Sequence, residues 1–345
     1  MNQFITILIL SAIFYTDSAM AESIWVKYGN QIYKGTGDAK SVALSFSEVS
    51  SAVGPFASLV NPARLTEDTD YTLNYTHQER FSGIVNFDLA GWHIKNNQQS
   101  KWSLVLIHEG VQHIPNTTQA LMDANGNGVI DENERLDIDK IKFFNQSQWA
   151  AILGIGTSKG SWKLGGNIKG LYHSLDAHAG FGLGFDFGVS RNFGKNHSIG
   201  FMIKDITTSW IVWDSGTVER ILPEISAGDL YTLNIAPLRL KINLTTMFEL
   251  SLEGRNQSED FHLFDYSGMF RSGIDLQYNE KFHIRFGRNP LTKYSAGLGF
   301  EFPAVEINYA FTPSPMGSLL GTSHYISAAL NLQSLERLKE TLGEL

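Results

Sequence analysis

The chain has 345 residues, a formal net charge of −8 and no cysteine. This acidic balance gives no electrostatic footprint for nucleic acid, so we expect no nucleic-acid partner. Without cysteine there is no disulfide framework to stabilise an exported domain, and the stability must have another source. A closed β-barrel is one such source, because each of its strands is paired on both sides.

The first 21 residues have the pattern of a secretory signal peptide. An apolar run at 4–15 precedes the small-residue site Ala19-Met20-Ala21. The run is about twelve residues long, which is too short to span a bilayer and suits a signal peptide. The residues before it, MNQ, lack Lys and Arg, so an uncleaved membrane anchor is the alternative. We predict cleavage before Glu22. No later stretch has the roughly 20 consecutive apolar residues that a spanning helix needs.

From about residue 70 onward, large apolar residues alternate with small or polar ones. In the segment 181–189, Phe, Leu and Val occupy the odd positions, and Gly or Asp occupies the even positions. Successive residues of a strand point to opposite faces, so each such segment predicts a strand with one apolar face. The pattern recurs at 238–252, 282–286, 298–302, 305–311 and 326–332.

A soluble β-sandwich is the alternative, because its strands alternate as well. Many segments run to about ten residues or more, whereas soluble strands average about five or six. Tilted membrane strands need about nine to eleven residues. The polar faces are rich in Gly, as in a crowded lumen, and the apolar faces are rich in Phe, Leu and Ile, as for lipid contact. We therefore predict an all-β fold, a transmembrane antiparallel β-barrel.

The alternation predicts about fourteen strands, with boundaries accurate to about two to four residues. They lie at 70–77, 82–94, 101–113, 147–158, 161–172, 179–191, 196–206, 225–236, 238–253, 267–278, 281–288, 294–302, 303–311 and 324–332. The long connections at 114–146, 207–224, 254–266 and 312–323 all follow odd-numbered segments. The short connection at 77–81 is the one exception after an odd-numbered segment. Outer-membrane barrels have short periplasmic turns and long external loops, so this parity predicts that both termini are periplasmic.

Residues 123–134 match the twelve-residue EF-hand calcium loop. The six positions that supply oxygen ligands in such a loop are Asp123, Asn125, Asn127, Val129 (through its carbonyl), Asp131 and Glu134. Gly128 occupies the sixth position, where the backbone turns sharply. The alternative is an acidic surface loop whose Gly and Asn residues merely form turns. The flanks do not clearly form the usual helix pair, so we predict one structural Ca²⁺ that orders the 114–146 loop.

Three stretches resemble the PorV/PorQ-type outer-membrane proteins, which belong to the broader FadL-like fourteen-stranded barrels. They are ASLVNPARL at 57–65, the segment 198–231, and AGLGFEFPAVEINYAFTP followed by GTSHYISAALNL. The resemblance implies an N-terminal plug inside the barrel, with Asn61, Pro62 and Ala63 in the lumen. An ordinary turn is the alternative for these three residues. The chain departs from the pattern in lacking a terminal aromatic residue and in carrying the calcium loop.

These arguments divide the chain into four parts. We assign residues 1–21 to a signal peptide, 22–66 to the luminal plug segment, 67–332 to the transmembrane barrel, and 333–345 to a periplasmic tail. The tail sequence SLERLKETLGEL predicts a short amphipathic helix, with a frayed end as the alternative.

The sequence contains no P-loop, GxSxG, HExxH or CxxC motif, so we expect no enzyme. Its histidines are scattered, and surface or luminal positions account for them. We predict that Trp210 and Trp213 lie at the membrane interface, where indole rings are favoured. The alternative is that they contact a ligand in the 207–224 connection.

Two functions remain. One is a FadL-like transporter or channel for a hydrophobic or small solute, surrounded by outer-membrane lipid. The alternative is an interaction component of a type IX-like secretion system, whose partners would be secreted proteins or secretion-system subunits.

Overall fold

The computed structural model describes residues 23–25, 31–67, 72–96, 100–253, 260–264, 266–289, 292–315 and 318–343. The predicted signal peptide lies outside the described residues, and so does part of the 254–266 connection. Within the described ranges, no helix is long and apolar enough to cross a membrane.

Fourteen antiparallel strands form the barrel wall. They are β1 (Thr72–Arg80), β2 (Val85–Asn96), β3 (Ser100–Asn116), β4 (Lys142–Lys159), β5 (Trp162–Leu175), β6 (His178–Phe193), β7 (His197–Lys204), β8 (Glu224–Ile235), β9 (Leu240–Ser251), β10 (Tyr266–Tyr278), β11 (Phe282–Asn289), β12 (Lys293–Glu301), β13 (Val305–Thr312) and β14 (Ser323–Asn331). The last strand pairs with the first, with Ile326 opposite His77, which closes the barrel. Each predicted segment overlaps one strand, so the predicted antiparallel barrel is confirmed.

The outer face of the wall is apolar. Along β6, the exposed side chains of Phe181, Leu183 and Phe187 alternate with buried Gly184 and Asp186. Ile168, Phe286 and Leu298 on other strands are about half exposed in the same way. An exposed apolar surface that continues around the wall is the surface of a membrane barrel rather than of a soluble domain.

The two ends of the barrel differ. We call the end that carries the long 117–141 connection the loop end, and the opposite end the turn end. At the loop end, the predicted loop 207–224 contains a hairpin, whose strand Ser209–Trp213 pairs with Val218–Ile221 and with the start of β6. Since β7 has only eight residues, this hairpin continues the wall beyond it.

The described start and end of the chain lie at opposite ends of the barrel. Ser23–Trp25 pairs in parallel with Val218–Ile221 at the loop end. A C-terminal helix, Leu332–Gly343, follows β14 directly at the turn end. This placement differs from the prediction that both termini are periplasmic, because ends on opposite sides of the barrel do not share one side of the membrane. The orientation of the barrel in the membrane stays a prediction.

Residues 31–67 fold inside the barrel as a plug. They contain α1 (Ala39–Ala43), α2 (Ala57–Val60) and the 3₁₀ turns Gln31–Tyr33 and Pro62–Glu67. The carboxylate of Asp38 caps α1 by accepting a hydrogen bond from Ser41 N at 2.8 Å. Helices of four or five residues are not stable alone in water. The plug is therefore held by the wall around it.

Glycines on the inner face of the wall make room for the plug. A Cβ atom on Gly165 would lie 2.3 Å from Ala63 N, and one on Gly188 would lie 2.1 Å from Asn61 Oδ1. On the opposite side of the lumen, a Cβ atom on Gly287 would lie 2.5 Å from Ser45 Oγ. The Gly-rich inner face seen in the sequence thus reflects close approach of the plug to the strands.

Candidate functional site

Apolar side chains line one side of the lumen between the plug and the loop end. Strand register aligns one inward-facing row, formed by Leu89, Ile107, Ala150, Leu171, Gly182 and Ile211. The full apolar cluster contains Phe87, Leu89, Val105, Ile107, Ala150, Ile152, Leu171, Ile211 and Ile221 from the wall and hairpin, and Ile32, Tyr33, Phe56 and Leu59 from the plug segment. The interior of the barrel therefore holds an apolar patch that water does not reach.

The start of the plug, residues 31–37, crosses the lumen against this cluster. On one side, the Tyr33 hydroxyl donates to Gly170 O on β5 at 2.6 Å. On the other side, Gln78 Nε2 donates to Gly37 O at 2.7 Å. Ile32 is fully buried against the wall. A solute that reaches the cluster competes with this segment for the same apolar surface.

A polar and aromatic rim, defined as Glu109, Gln146, Gln148, His173 and Trp213, lies on the loop-end side of the cluster. Four of its members lie in one row across neighbouring strands. The strand register pairs Glu109 with Gln148, Gln148 with His173, His173 with Gly180 of β6, and Gly180 with Trp213. The Nε2 atoms of Gln146 and Gln148 each donate to Glu109 Oε1 at 3.3 Å. The rings of His173 and Trp213 are 5.0 Å apart. Trp213 therefore lies on the luminal side, while Trp210 shares the outer face with exposed Val212.

Buried charges lie on the plug side of the cluster. Lys169 Nζ is 2.7 Å from Asp186 Oδ1 and 2.7 Å from Asp205 Oδ1. The same ammonium lies 5.0 Å from the centroid of the Tyr33 ring. Removing one partner from a buried ion network leaves an unpaired charge at a large cost in stability. These buried charges therefore border the apolar cluster at Tyr33.

Asn61, Pro62 and Ala63 lie in the lumen, where the family resemblance placed them. Asn61 is fully buried, and its Nδ2 donates to Val49 O at 2.8 Å and to Val189 O on β6 at 3.2 Å. Its Oδ1 accepts a hydrogen bond from Ala63 N at 3.1 Å. The Asn61 side chain thus joins two parts of the plug to the wall. The role of the three residues as a plug motif stays a prediction.

The calcium-loop residues 123–134 lie in the exposed connection between β3 and β4. A hydrogen bond from Met122 N to Arg135 O at 3.0 Å closes the base of this loop. Asp123 Oδ2 accepts from Gly128 N at 2.8 Å, and this backbone N–H, followed by that of Gly126, lowers the pKa of the Asp123 carboxyl. The Glu134 carboxylate accepts from Ala124 N and Asp131 N.

Two of the ligand positions in the calcium loop direct their amide nitrogens to a third. The amide nitrogens of Asn125 and Asn127 donate to Asp131 Oδ2 at 2.6 and 3.0 Å. Within the described ranges, no group of three or more His, Cys, Asp or Glu side chains is arranged to hold a metal ion. The oxygen donors fit Ca²⁺ in kind and number. The amides would have to turn, so Ca²⁺ binding stays a prediction.

The lumen on the turn-end side of the plug is polar. Two cavities of about 330 Å³ and 300 Å³ lie there, and both are lined by Lys40, Val53 and Glu67. The larger cavity is also lined by Asp38 and Glu306. The apolar cluster on the loop-end side of the plug therefore differs in character from the polar cavities on the turn-end side.

A closed fourteen-stranded barrel with an apolar outer face and an N-terminal plug is an outer-membrane architecture. No protein-family model matches the chain, and no curated protein sequence matches it. Solved structures share its fold. The toluene transporter TodX of Pseudomonas putida is similar at a TM-score of 0.59 and 11% identity, covering 86% of this chain and 98% of that chain. The toluene transporter TbuX of Ralstonia pickettii is similar at a TM-score of 0.54 and 10% identity, covering 85% and 97%. These similarities show that the chain has the fold of FadL-like barrels.

Sequence reasoning missed the apolar cluster and the rim. The alternation predicts one apolar face for each strand, but four consecutive positions of β3 are apolar, namely Leu104, Val105, Leu106 and Ile107. Ala150, Ala151, Ile152 and Leu153 repeat the run on β4. A strand that is apolar on both faces indicates burial on both sides. These runs were the signal that the inner face of β3 and β4 is apolar as well.

Proposed function

We propose that the chain is an outer-membrane transporter that admits a small hydrophobic solute, with the loop end facing the outside of the cell. The observation that carries the proposal is the apolar cluster inside the barrel, on the loop-end side of the plug. A membrane barrel needs apolar residues on its outer face, but lipid contact gives no reason for them on the inner face. An apolar inner patch is suited to binding a solute that lacks polar groups. The shared fold of proteins named as toluene transporters supports the same class of solute.

Uptake of labelled toluene tests the proposal. Cells whose outer membrane has no other hydrocarbon channel would make the full chain or its Leu171→Asn variant. Leu171 is 6% exposed in the apolar cluster, and an amide there without a partner costs about 1–3 kcal/mol. We expect the variant to take up toluene about tenfold more slowly, since 1.4 kcal/mol corresponds to a factor of about ten.

Leu238→Asn is the matched control, because Leu238 is 60% exposed in the turn between β8 and β9. This control should transport toluene as the unchanged chain does. The proposal fails if cells with the unchanged chain gain no uptake over cells without it. It also fails if the two Leu→Asn variants behave alike while both barrels show the heat-dependent gel migration of a folded barrel.

The secretion role stays a separate hypothesis. It rests on the PorV/PorQ resemblance of the sequence stretches, and the long exposed 117–141 connection is compatible with docking of an exported protein. A gene deletion that blocks the export of other proteins but leaves toluene uptake intact would favour secretion over transport.

We also propose that residues 123–134 bind one Ca²⁺ and that the ion orders the connection between β3 and β4. Support comes from the match of Asp123, Asn125, Asn127, Val129, Asp131 and Glu134 to the ligand positions and from the closed base of the loop. Comparable extracellular sites have dissociation constants of about 10⁻⁴ to 10⁻³ M.

Calorimetric titration of the full barrel with CaCl₂ tests this site. We expect saturable binding in that concentration range, and loss of binding in an Asp123→Asn, Glu134→Gln double variant. Asp139→Asn is the control, since Asp139 is an exposed carboxylate of the same connection outside the twelve-residue loop. Unchanged binding in the double variant, or no binding by the unchanged chain, would refute the calcium proposal.

A further inference from the structure

The rim borders the apolar cluster in a way that bears on the kind of solute. On each of β3, β4 and β5, one rim residue lies two positions from a cluster residue on the same inward face. These pairs are Glu109 and Ile107, Gln148 and Ala150, and His173 and Leu171. If the apolar body of a solute contacts the cluster, the part of the solute that points toward the loop end therefore contacts these polar groups. This inference rests on the proposed transport function.

Several hydrogen-bond donors of the rim already have partners in the protein. The amide nitrogens of Gln146 and Gln148 both donate to the Glu109 carboxylate. The indole Nε1 of Trp213 donates to Glu219 Oε1 at 2.9 Å. Gln146 Nε2 also lies 3.4 Å from His173 Nε2. The amide of Gln146 and the indole of Trp213 are therefore engaged by groups of the protein.

Acceptor capacity remains at the rim. Gln146 Oε1 is buried and accepts no hydrogen bond from a described residue. A buried acceptor without a partner is unfavourable, and a solute that donates to it relieves the penalty. The Glu109 carboxylate, which accepts from Gln146 Nε2, adds a negative charge to the rim.

Arg80 is a cation beside the apolar cluster, and its hydrogen bonds go to groups outside the rim. Arg80 lies with its guanidinium carbon 3.9 Å from the centroid of the Phe87 ring, beside the cluster. Its Nε donates to Gln78 Oε1 at 2.9 Å, and its Nη2 donates to Gly35 O of the plug at 2.8 Å. Arg80 thus joins β1 to the plug. A solute carboxylate near Glu109 would meet a negative charge, and it would have to compete with Gln78 and Gly35 for the Arg80 guanidinium.

We propose that the rim selects solutes that carry a hydrogen-bond donor, such as a phenolic or alcoholic hydroxyl, on an apolar body, and disfavours carboxylate anions. Gln146 and Glu109 are the specificity-determining residues. A single neutral hydrogen bond is worth about a three- to tenfold change in affinity.

Binding of three matched solutes to the full barrel tests the proposal. The solutes are toluene, para-cresol and para-toluate, which differ in one substituent, and tryptophan fluorescence reports saturable binding. For each solute, the affinity of a variant is compared with the affinity of the unchanged chain. Partition of that solute into detergent affects both measurements equally. We expect Gln146→Met to lower the ratio of para-cresol to toluene affinity about three- to tenfold. We expect Glu109→Gln to raise the affinity for para-toluate relative to toluene.

Gln112→Met is the matched control, because Gln112 is an exposed residue of β3 outside the rim. Its affinity ratios should equal those of the unchanged chain. Equal ratios in Gln146→Met and Gln112→Met, or tighter binding of para-toluate than of para-cresol by the unchanged chain, would overturn the rim proposal while leaving transport intact. Absence of saturable toluene binding by the unchanged chain would instead contradict the proposed transport function.

Discussion

The lumen is filled in two different ways at two levels. At the level of the plug, glycines on the inner face of the wall leave no room for a Cβ atom, because Gly165 lies against the backbone of Pro62 and Ala63 and Gly188 lies against the side chain of Asn61. Nearer the loop end, the inner face carries large apolar side chains such as Ile107 and Leu171. Strand alternation alone does not distinguish the levels, but the size of the inward residue indicates what lies opposite it.

The difference has a consequence for binding. Contacts at the plug level are directional, since Asn61 satisfies the carbonyls of Val49 and Val189. A hydrophobic solute that replaced Asn61 would leave those buried carbonyls unpaired. Contacts in the apolar cluster are non-directional, so a solute can take the place of Ile32 without such a penalty. The proposed solute therefore fits the loop-end level better than the plug level.

Overfilling the plug level should have the largest effect. Gly165→Leu places side-chain atoms where Pro62 and Ala63 now lie. Overpacking of this kind costs about 1–3 kcal/mol, which shifts a two-state equilibrium about 5- to 150-fold. We expect the plug to leave its seat and the single-channel conductance in planar bilayers to rise accordingly.

Gly166→Leu is the neighbouring control. A Cβ atom on Gly166 would have its nearest contact at 3.5 Å, with Asp186 O, and Gly166 lies on the outer face between exposed Leu164 and Ile168. Its conductance should stay at the level of the unchanged chain. If both variants conduct alike, the glycines do not hold the plug, and the distinction between the two levels is lost.

Removing the polar anchor of the plug should have a smaller effect. Asn61→Ala leaves the Val49 and Val189 carbonyls without this donor, at about 1–3 kcal/mol, but introduces no clash. We expect an intermediate rise in conductance. Asn234→Ala, at an exposed position of β8, should have no effect. A fully closed Asn61→Ala barrel would show that packing alone retains the plug.

Trimming the apolar level should have the smallest effect on conductance. Ile152 is 1% exposed, and Ile152→Val should lower the free energy of unfolding by about 0.5–1.5 kcal/mol. Urea titration in detergent measures that loss. The plug should stay seated, because the contacts of Ile152 are with the cluster. A conductance rise comparable to that of Asn61→Ala would mean that the two levels act together.

The barrel could be predicted from the sequence because lipid contact demands a large apolar residue at every second position. Phe181, Leu183 and Phe187 follow this pattern, and all three are exposed on the outer face. The plug lacks such a pattern, and only the family resemblance located Asn61, Pro62 and Ala63 there. The hairpin at Ser209–Trp213 was assigned to a loop because five residues are too few to distinguish alternation from chance.

The apolar cluster depends on register, which one sequence does not provide. Ile107 and Leu171 are far apart in the chain and become members of one row only when β3, β4 and β5 are paired. The calcium loop is the opposite case, because all of its ligands are local. The match of Asp123 to Glu134 could be recognised from spacing alone, and binding remains to be measured.

The central claim is that a small hydrophobic solute binds inside the barrel, at the apolar level. Anomalous diffraction from crystals of the full barrel soaked in bromobenzene locates the solute directly by its bromine atom. We predict a bromine peak in the lumen in contact with Leu171 and Ile211. Bromine peaks confined to the outer face of the wall, with none in contact with the apolar cluster, would contradict the claim.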